Sequence, residues 1–164
     1  MNNLEINVDK KFPNLPNAPI VEAVVHWQAI PKVPLEEETL QKELASSFGD
    51  YIAGPQFNQQ IGLKDVPGLL EVRQERIWQG VRLSSPDDKE PKFVCQFMKN
   101  GIAFSRLAPY EGWQGFISEA DRFWRKYVEF GQPSSVSQLS VRYISQIPVQ
   151  SSVNVGEYLS LIHI

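Results

Sequence analysis

Between Pro19 and Ile30 the residues alternate in the manner of an extended strand. Val21, Ala23, Val25, Trp27 and Ala29 fall on one side and Glu22, His26 and Gln28 on the other, with Val24 breaking the pattern. Such a segment buries one face, so the rest of the chain must pair with it or pack on it. Ile30-Pro31 ends it, and Pro34 is expected to open a helix whose first turn carries Glu36, Glu37 and Glu38, where negative charge favours the N-terminal end of the dipole. Leu40, Leu44 and Phe48 then recur every fourth residue, and Tyr51 or Ile52 closes the apolar stripe.

Downstream the pattern returns to strands. After Gly54-Pro55, alternation through Phe57, Gln59, Ile61 and Leu63 predicts a second strand, and Asp65-Val66-Pro67-Gly68 a turn. Leu69 to Ser84 reads as one long extended segment with a bulge or break near Arg76-Ile77. A charged loop, Ser85 to Pro91, leads to a hairpin from Lys92 to Leu107. Asn100-Gly101 suits a tight turn there, which would set Phe97 opposite Phe104 and Cys95 opposite Arg106. A second helix follows Pro109, with Trp113, Phe116, Ile117, Ala120, Trp124, Tyr127 and Val128 at helical spacing and Gly131 and Pro133 as terminators. The last strand runs from Gln138 to Ile147, with Leu139, Val141 and Tyr143 on one face and Ser140, Arg142 and Ile144 on the other. It ends in Ile147-Pro148 as the first ends in Ile30-Pro31, and Val155 to Tyr158 looks like a helix start, so the two units suggest an internal pseudo-repeat.

These elements give an α+β fold: a mainly antiparallel sheet of about six strands with two helices on one face, in the order β-α-β-β-β-β-α-β. One domain, 19–158, is expected, preceded by a loose proline- and asparagine-rich arm over 1–18. With 42% hydrophobic and 21% charged residues the chain resembles ordinary soluble proteins, not disordered or fibrous ones. A net charge of −3 argues against a chain built to hold nucleic acid phosphates. No secretion signal or membrane-length apolar run is read, and a single cysteine, Cys95, fits a reducing compartment, so a cytoplasmic location is expected.

Little in the chain points to a specific chemistry. His26 is the one histidine before the last six residues, and no HExxH or paired-cysteine spacing accompanies it, so neither a metal nor a cofactor is expected. As the residue type most often used for proton transfer, it is still the first candidate acid or base. Cys95, flanked by phenylalanines, reads as a buried structural thiol, although Arg106 across the hairpin keeps a nucleophile in view. No G-x-S-x-G elbow or phosphate-binding glycine loop is present. Arg73, Arg76, Arg82, Arg106 and Arg142 all fall on strands and could form a fork for a carboxylate or phosphate, unless Glu22, Glu71 and Glu75 pair with them into a solvated face. The candidate site residues are His26, Arg106 and Arg142. Trp78, Trp113 and Tyr110 could line a groove, but such spacings usually mean core. The leading function is a non-enzymatic binding or interaction module for a protein partner or small anionic ligand. The alternatives are an enzyme acting on an anionic substrate through His26 with Arg106 or Arg142 as clamps, and nucleic acid contact through the strand arginines.

Three stretches carry a resemblance. Phe12 to Ala23 with its Ala18-Pro19-Ile20-Val21-Glu22-Ala23, Phe104 to Trp113 with Phe116, and Leu139 to Ile147 with Arg142-Tyr143-Ile144 together resemble the prokaryotic family catalogued as "sporadically distributed protein". Ser145 stands where that family is expected to have asparagine. The resemblance spans residues 12 to about 158 and implies a longer protein from a horizontally moved accessory gene; it implies no activity, cofactor or catalytic residue. The last six residues, Leu159 to Ile164, are identical to a translated frame of the transposon-end adapter used in sequencing libraries. They are expected to be a non-native tail replacing sequence beyond Tyr158, the alternative being a genuine apolar strand.

Overall fold

The strand after Pro19, β1 (Ile20–Gln28), lies within a six-stranded antiparallel sheet. The computed structural model describes residues 18–66, 69–86 and 91–148, leaving aside the side chains of 62–73. The remaining elements are α1 (Glu37–Ser47), β2 (Ile52–Val66), β3 (Leu69–Ser84), β4 (Phe93–Met98), β5 (Gly101–Leu107), α2 (Trp113–Gly131) and β6 (Gln138–Ser145). The sheet order is β2-β3-β4-β5-β1-β6, and both helices pack on one face, α1 over β2 and β3 and α2 over β5 and β1. This is the α+β architecture expected. The arm before residue 18, the turn at Pro67-Gly68, the helix-like start at Val155–Tyr158 and the tail 159–164 lie outside the described residues.

The alternation in β1 explains its place. Ala23, Val25, Trp27 and Ala29 are buried toward the helices, while His26 and Gln28 look the other way. Against them α1 sets Leu40 and Leu44, followed by Phe48, and α2 sets Phe116, Ala120, Phe123 and Tyr127. Phe123 sits at the centre, stacked on Phe48 at 4.3 Å and on Phe104 at 5.3 Å, with Tyr51 edge-on at 5.1 Å. The Tyr127 hydroxyl donates to the Ala29 carbonyl at 2.8 Å, tying α2 to the end of β1.

Several boundaries and pairings differ from the expectations. The first helix starts at Glu37, with Glu36 still extended, so Pro34 precedes it by three residues and lies outside the first turn. β2 begins at Ile52 and runs through Pro55, which an edge strand tolerates because its missing N–H faces no partner. The bulge in β3 falls at Gln79, the residue skipped between the pairs Phe57–Trp78 and Gln56–Gly80, not at Arg76-Ile77. Gly80 follows at φ 155°, where a Cβ would come within 1.9 Å of the Phe97 carbonyl oxygen; the close approach of β4 fixes the bulge there.

In the hairpin the loop is Lys99-Asn100, and the register is Met98–Gly101, Phe97–Ile102, Cys95–Phe104 and Phe93–Arg106. The expected pairs Phe97–Phe104 and Cys95–Arg106 are therefore displaced by two positions, and the aromatic partner of Phe104 is Phe93, stacked at 5.7 Å. The cause lies on the neighbouring strand. Asn100 gives its carbonyl to Ala29 N–H at 2.9 Å, and Gly101, at φ 149°, passes so close to Trp27 that it belongs to the ladder and not to the loop.

At the end of α2 the left-handed residue is Gln132 (φ 46°, ψ 50°), while Gly131 is the last helical residue. Its role is close packing: a Cβ there would lie 2.7 Å from Cβ of Pro31, and its carbonyl accepts Lys32 N–H at 2.8 Å. Trp113 and Val128, expected in the core, are 40% and 39% exposed, and Phe123 takes the central place. Trp124 lies at the flank, stacked on Trp27 at 5.5 Å. The last strand stops at Ser145, short of the expected Ile147, and its Leu139, Val141 and Tyr143 point toward the helix side yet stay exposed, because α2 covers β1 and not β6.

Burial pushes the phenol of Tyr127 from 10.0 up to about 12, and raises those of Tyr51 and Tyr110 as well. The folded chain therefore holds protons that the unfolded chain releases from pH 10 upward, so stability is full below pH 10 and falls as the pH climbs to about 12. Circular dichroism across that range is expected to show unfolding coincident with the ionisation of these three phenols; full phenolate absorbance from all five tyrosines near pH 10 in an intact fold would contradict the packing.

Candidate functional site

The face away from the helices carries Arg82, Gln96, Ser105, His26, Ser140 and Arg142 among apolar residues such as Val24, Val94 and Ala103. Cross-strand pairing lays these residues out in rows. Arg82, Gln96, Ala103, His26 and Ser140 form one row across β3, β4, β5, β1 and β6. Ser84, Val94, Ser105, Val24 and Arg142 form the next. Arg82 and Arg142 thus stand on opposite banks, four strands and roughly 19 Å of flat sheet apart, closer across a curled one. Val24 and Val94 are 7% and 8% exposed despite facing away from both helices, so the face is cupped.

Two adjoining depressions occupy the cup. One, of about 300 Å³, is lined by Val24, His26, Ala103, Ser140 and Arg142. The other, of about 250 Å³, brings Arg82 and Arg142 to one cavity, with Gln96, Ser105 and Glu22. Small side chains make the room: Ala103 sits between Gln96 and His26, and the serines flank it. Among the described residues neither arginine enters an ion pair, and Glu22 pairs with neither. The charged side chains lining the cup are Arg82, Arg142 and Glu22, which gives it one net positive charge in a chain whose total is −3.

His26 Nε2 is buried and has no hydrogen-bond partner among the described residues. A donor or acceptor left so is costly. Ser140 lies directly opposite His26 on β6, yet no bond joins them, so the pair lacks the coupling that activates a serine nucleophile.

Arg106 is elsewhere. It shares the helix side with Phe104 and is 5% exposed. Its Nε donates to the Pro109 carbonyl at 3.1 Å, its guanidinium lies 4.4 Å from the Phe93 ring centre, and it meets the exposed Glu111 at 2.9 Å. These contacts brace the loop between β5 and α2. The sheet therefore brings His26 and Arg142 together and separates Arg106 from both; Arg82 takes its place in the cup.

The other sequence candidates scatter. Arg76 covers the Phe57 ring at 3.6 Å, while the side chains of Arg73 and Glu71 lie outside the described residues. Cys95 is fully buried opposite Phe104 and not Arg106, and burial raises its thiol well above the ordinary value, which leaves it inert. Trp78, Trp113 and Tyr110 line no common groove: Tyr110 and Trp113 pack on Phe116, and Trp78 lies near Lys99. Gln96, Ser105 and Ser140 were not singled out by sequence reasoning; strand alternation marks them as sharing a face with Arg82, His26 and Arg142. Among the described residues no group of three or more His, Cys, Asp or Glu could hold a metal ion, and no helix is long and apolar enough to cross a membrane. No family model, curated protein or solved structure matches the chain.

Proposed function

We propose that this protein is a non-catalytic cytoplasmic binding module, that it is the product of an accessory gene, the last point alone being what the resembled family implies, and that its cupped, helix-free face holds an anionic ligand between Arg82 and Arg142. The observation that carries this reading is the pair of arginines on opposite banks of one cup, neither in an ion pair among the described residues. The floor supports it. Val24, Val94, Ala103 and Leu107 offer apolar contact to the body of a ligand whose acidic groups reach the guanidiniums.

A second reading, an enzyme acting on an anionic small molecule, has one observation in its favour: the unpartnered Nε2 of His26 in the cavity that Arg142 lines. It lacks a coupled base and nucleophile, so binding without turnover is preferred. Nucleic acid contact has less support, because among the described residues no Phe, Tyr or Trp lines either depression to stack on a base.

Thermal shift with phosphate and small carboxylates tests the reading. Both are expected to raise the melting temperature of the full chain, and Arg82→Ala and Arg142→Ala each to remove most of that rise. Arg106→Ala is expected to lower stability by about 2 kcal/mol, through a lost charged hydrogen bond at a buried position, while keeping the ligand-induced rise. A rise that survives both Arg82→Ala and Arg142→Ala would overturn the assignment.

A further inference from the structure

The charged groups of the cup are of both signs. Arg82 and Arg142 attract acidic groups, but Glu22 lines the same cavity of about 250 Å³ and repels them. A ligand carrying negative charge alone would set a like charge against that carboxylate in a partly dehydrated space, where repulsion is stronger than in water. Nor is Glu22 neutralised within the chain: it is half-buried and enters no ion pair among the described residues.

The strand register sets Glu22 beside one arginine and away from the other. On β1 it lies two residues from Val24, whose partner on β6 is Arg142, and its own partner on β6 is Ile144. Glu22 and Arg142 are therefore diagonal neighbours on one face of adjacent strands, with Cα atoms about 7–8 Å apart. Arg82 stands on β3, three strands from β1, across roughly 14 Å of flat sheet.

A carboxylate and an ammonium borne on one carbon match the near pair, the carboxylate meeting the Arg142 guanidinium and the ammonium meeting Glu22. A second acidic group on a short apolar spacer then reaches toward Arg82 over the floor of Val94 and Ala103. The charges balance: the cup carries one net positive charge, and such a ligand carries one net negative charge with every charged group facing its opposite. The size also suits, since the depression has room for about eight water-sized groups at ~30 Å³ each. A peptide does not satisfy the near pair, because the chain consumes one of the two substituents.

We propose that the ligand of the cup is a free acidic α-amino acid, its α-ammonium and α-carboxylate held by Glu22 and Arg142 and its side-chain carboxylate by Arg82. The inference rests on the anion-binding reading of the cup given above. It adds the chemical class of the ligand and a role for Glu22, which selects against anions that lack an amine.

Isothermal titration calorimetry of the full chain at neutral pH, with aspartate, glutamate, glutamine, glutarate and inorganic phosphate, tests this. The better of aspartate and glutamate is expected to bind about tenfold more tightly than glutarate, which lacks the ammonium, and than glutamine, whose side chain is neutral; each difference is one charge-assisted contact. Glu22→Gln is expected to remove the preference over glutarate and keep the preference over glutamine. Arg82→Ala is expected to do the reverse, at lower affinity. Neither side chain is fully buried or ion-paired among the described residues, so both variants are expected to fold. Glutarate or glutamine bound as tightly as the acidic amino acid by the wild-type chain, or a preference over glutarate that survives Glu22→Gln, would overturn the proposal. Phosphate binding that depends on Arg82 and Arg142, with no binding of either acidic amino acid, would also overturn it while leaving the anion site standing. Failure of phosphate and of every carboxylate to bind would remove the anion site itself, and the ligand class with it.

Discussion

Replacing Phe123 with alanine is expected to lower stability by about 3–5 kcal/mol, the range for removing a fully buried aromatic side chain. The ring is 0% exposed and is shared by every layer of the core: it touches Phe48 beyond α1, Tyr51 before β2, Phe97 on β4 and Phe104 on β5. Its neighbours are themselves rings fixed on separate elements, so they cannot collapse into the space left behind. Trp113→Ala, at the 40% exposed start of the same helix, is expected to cost within about 1 kcal/mol. Urea unfolding followed by circular dichroism ranks the two. Equal effects would mean that the helix buries the face centred on Trp113.

The second large effect is at Gly101. Its φ of 149° lies where side-chain-bearing residues are strained, and a Cβ would sit 2.1 Å from the Trp27 carbonyl oxygen. Neither the backbone of β1 nor that of β5 can retreat without breaking the ladder at the centre of the sheet. Gly101→Val is therefore expected to cost about 3 kcal/mol, combining backbone strain with overpacking. Gly115, in the first turn of α2, has open space around it, and Gly115→Ala is expected to stabilise by up to about 1 kcal/mol. The opposite signs at two glycines, read by the same unfolding experiment, separate close packing from general loss of flexibility.

The order of elements and the faces of the strands were legible in the sequence because both depend on periodicity. The hairpin register was not. A shift of two positions leaves every side chain on the same face, so Phe97 meets Ile102 as readily as Phe104 until Gly101 and the β1 backbone decide. In α2 the apolar residues cover more of the helix than the sheet can bury; only the position of β1 and β5 beneath it selects Phe123 over Trp113 and Val128. The exposure of Leu139 and Val141 depends on where α2 ends laterally, which no local pattern records.

The candidate site was half legible for a related reason. Arg106 shares strand parity with Phe104 and Ile102, and His26 lies opposite in sense to Trp27, so grouping Arg106 with His26 joined two faces of one sheet. Arg82 belongs with His26 and Arg142, but recognising this requires the strand order β3-β4-β5-β1-β6, which places β3 and β6 at opposite ends of one row. Alternation assigns a residue to a face; sheet topology decides which residues on that face are neighbours.

The most direct test of the binding face is a phosphate titration followed residue by residue by amide and arginine side-chain NMR signals. The account predicts that shifts gather at Arg82, Gln96, His26, Ser140 and Arg142 and leave Arg106 and Glu111 unmoved. Shifts gathered around Arg106, or none on the helix-free face at saturating phosphate, would contradict it.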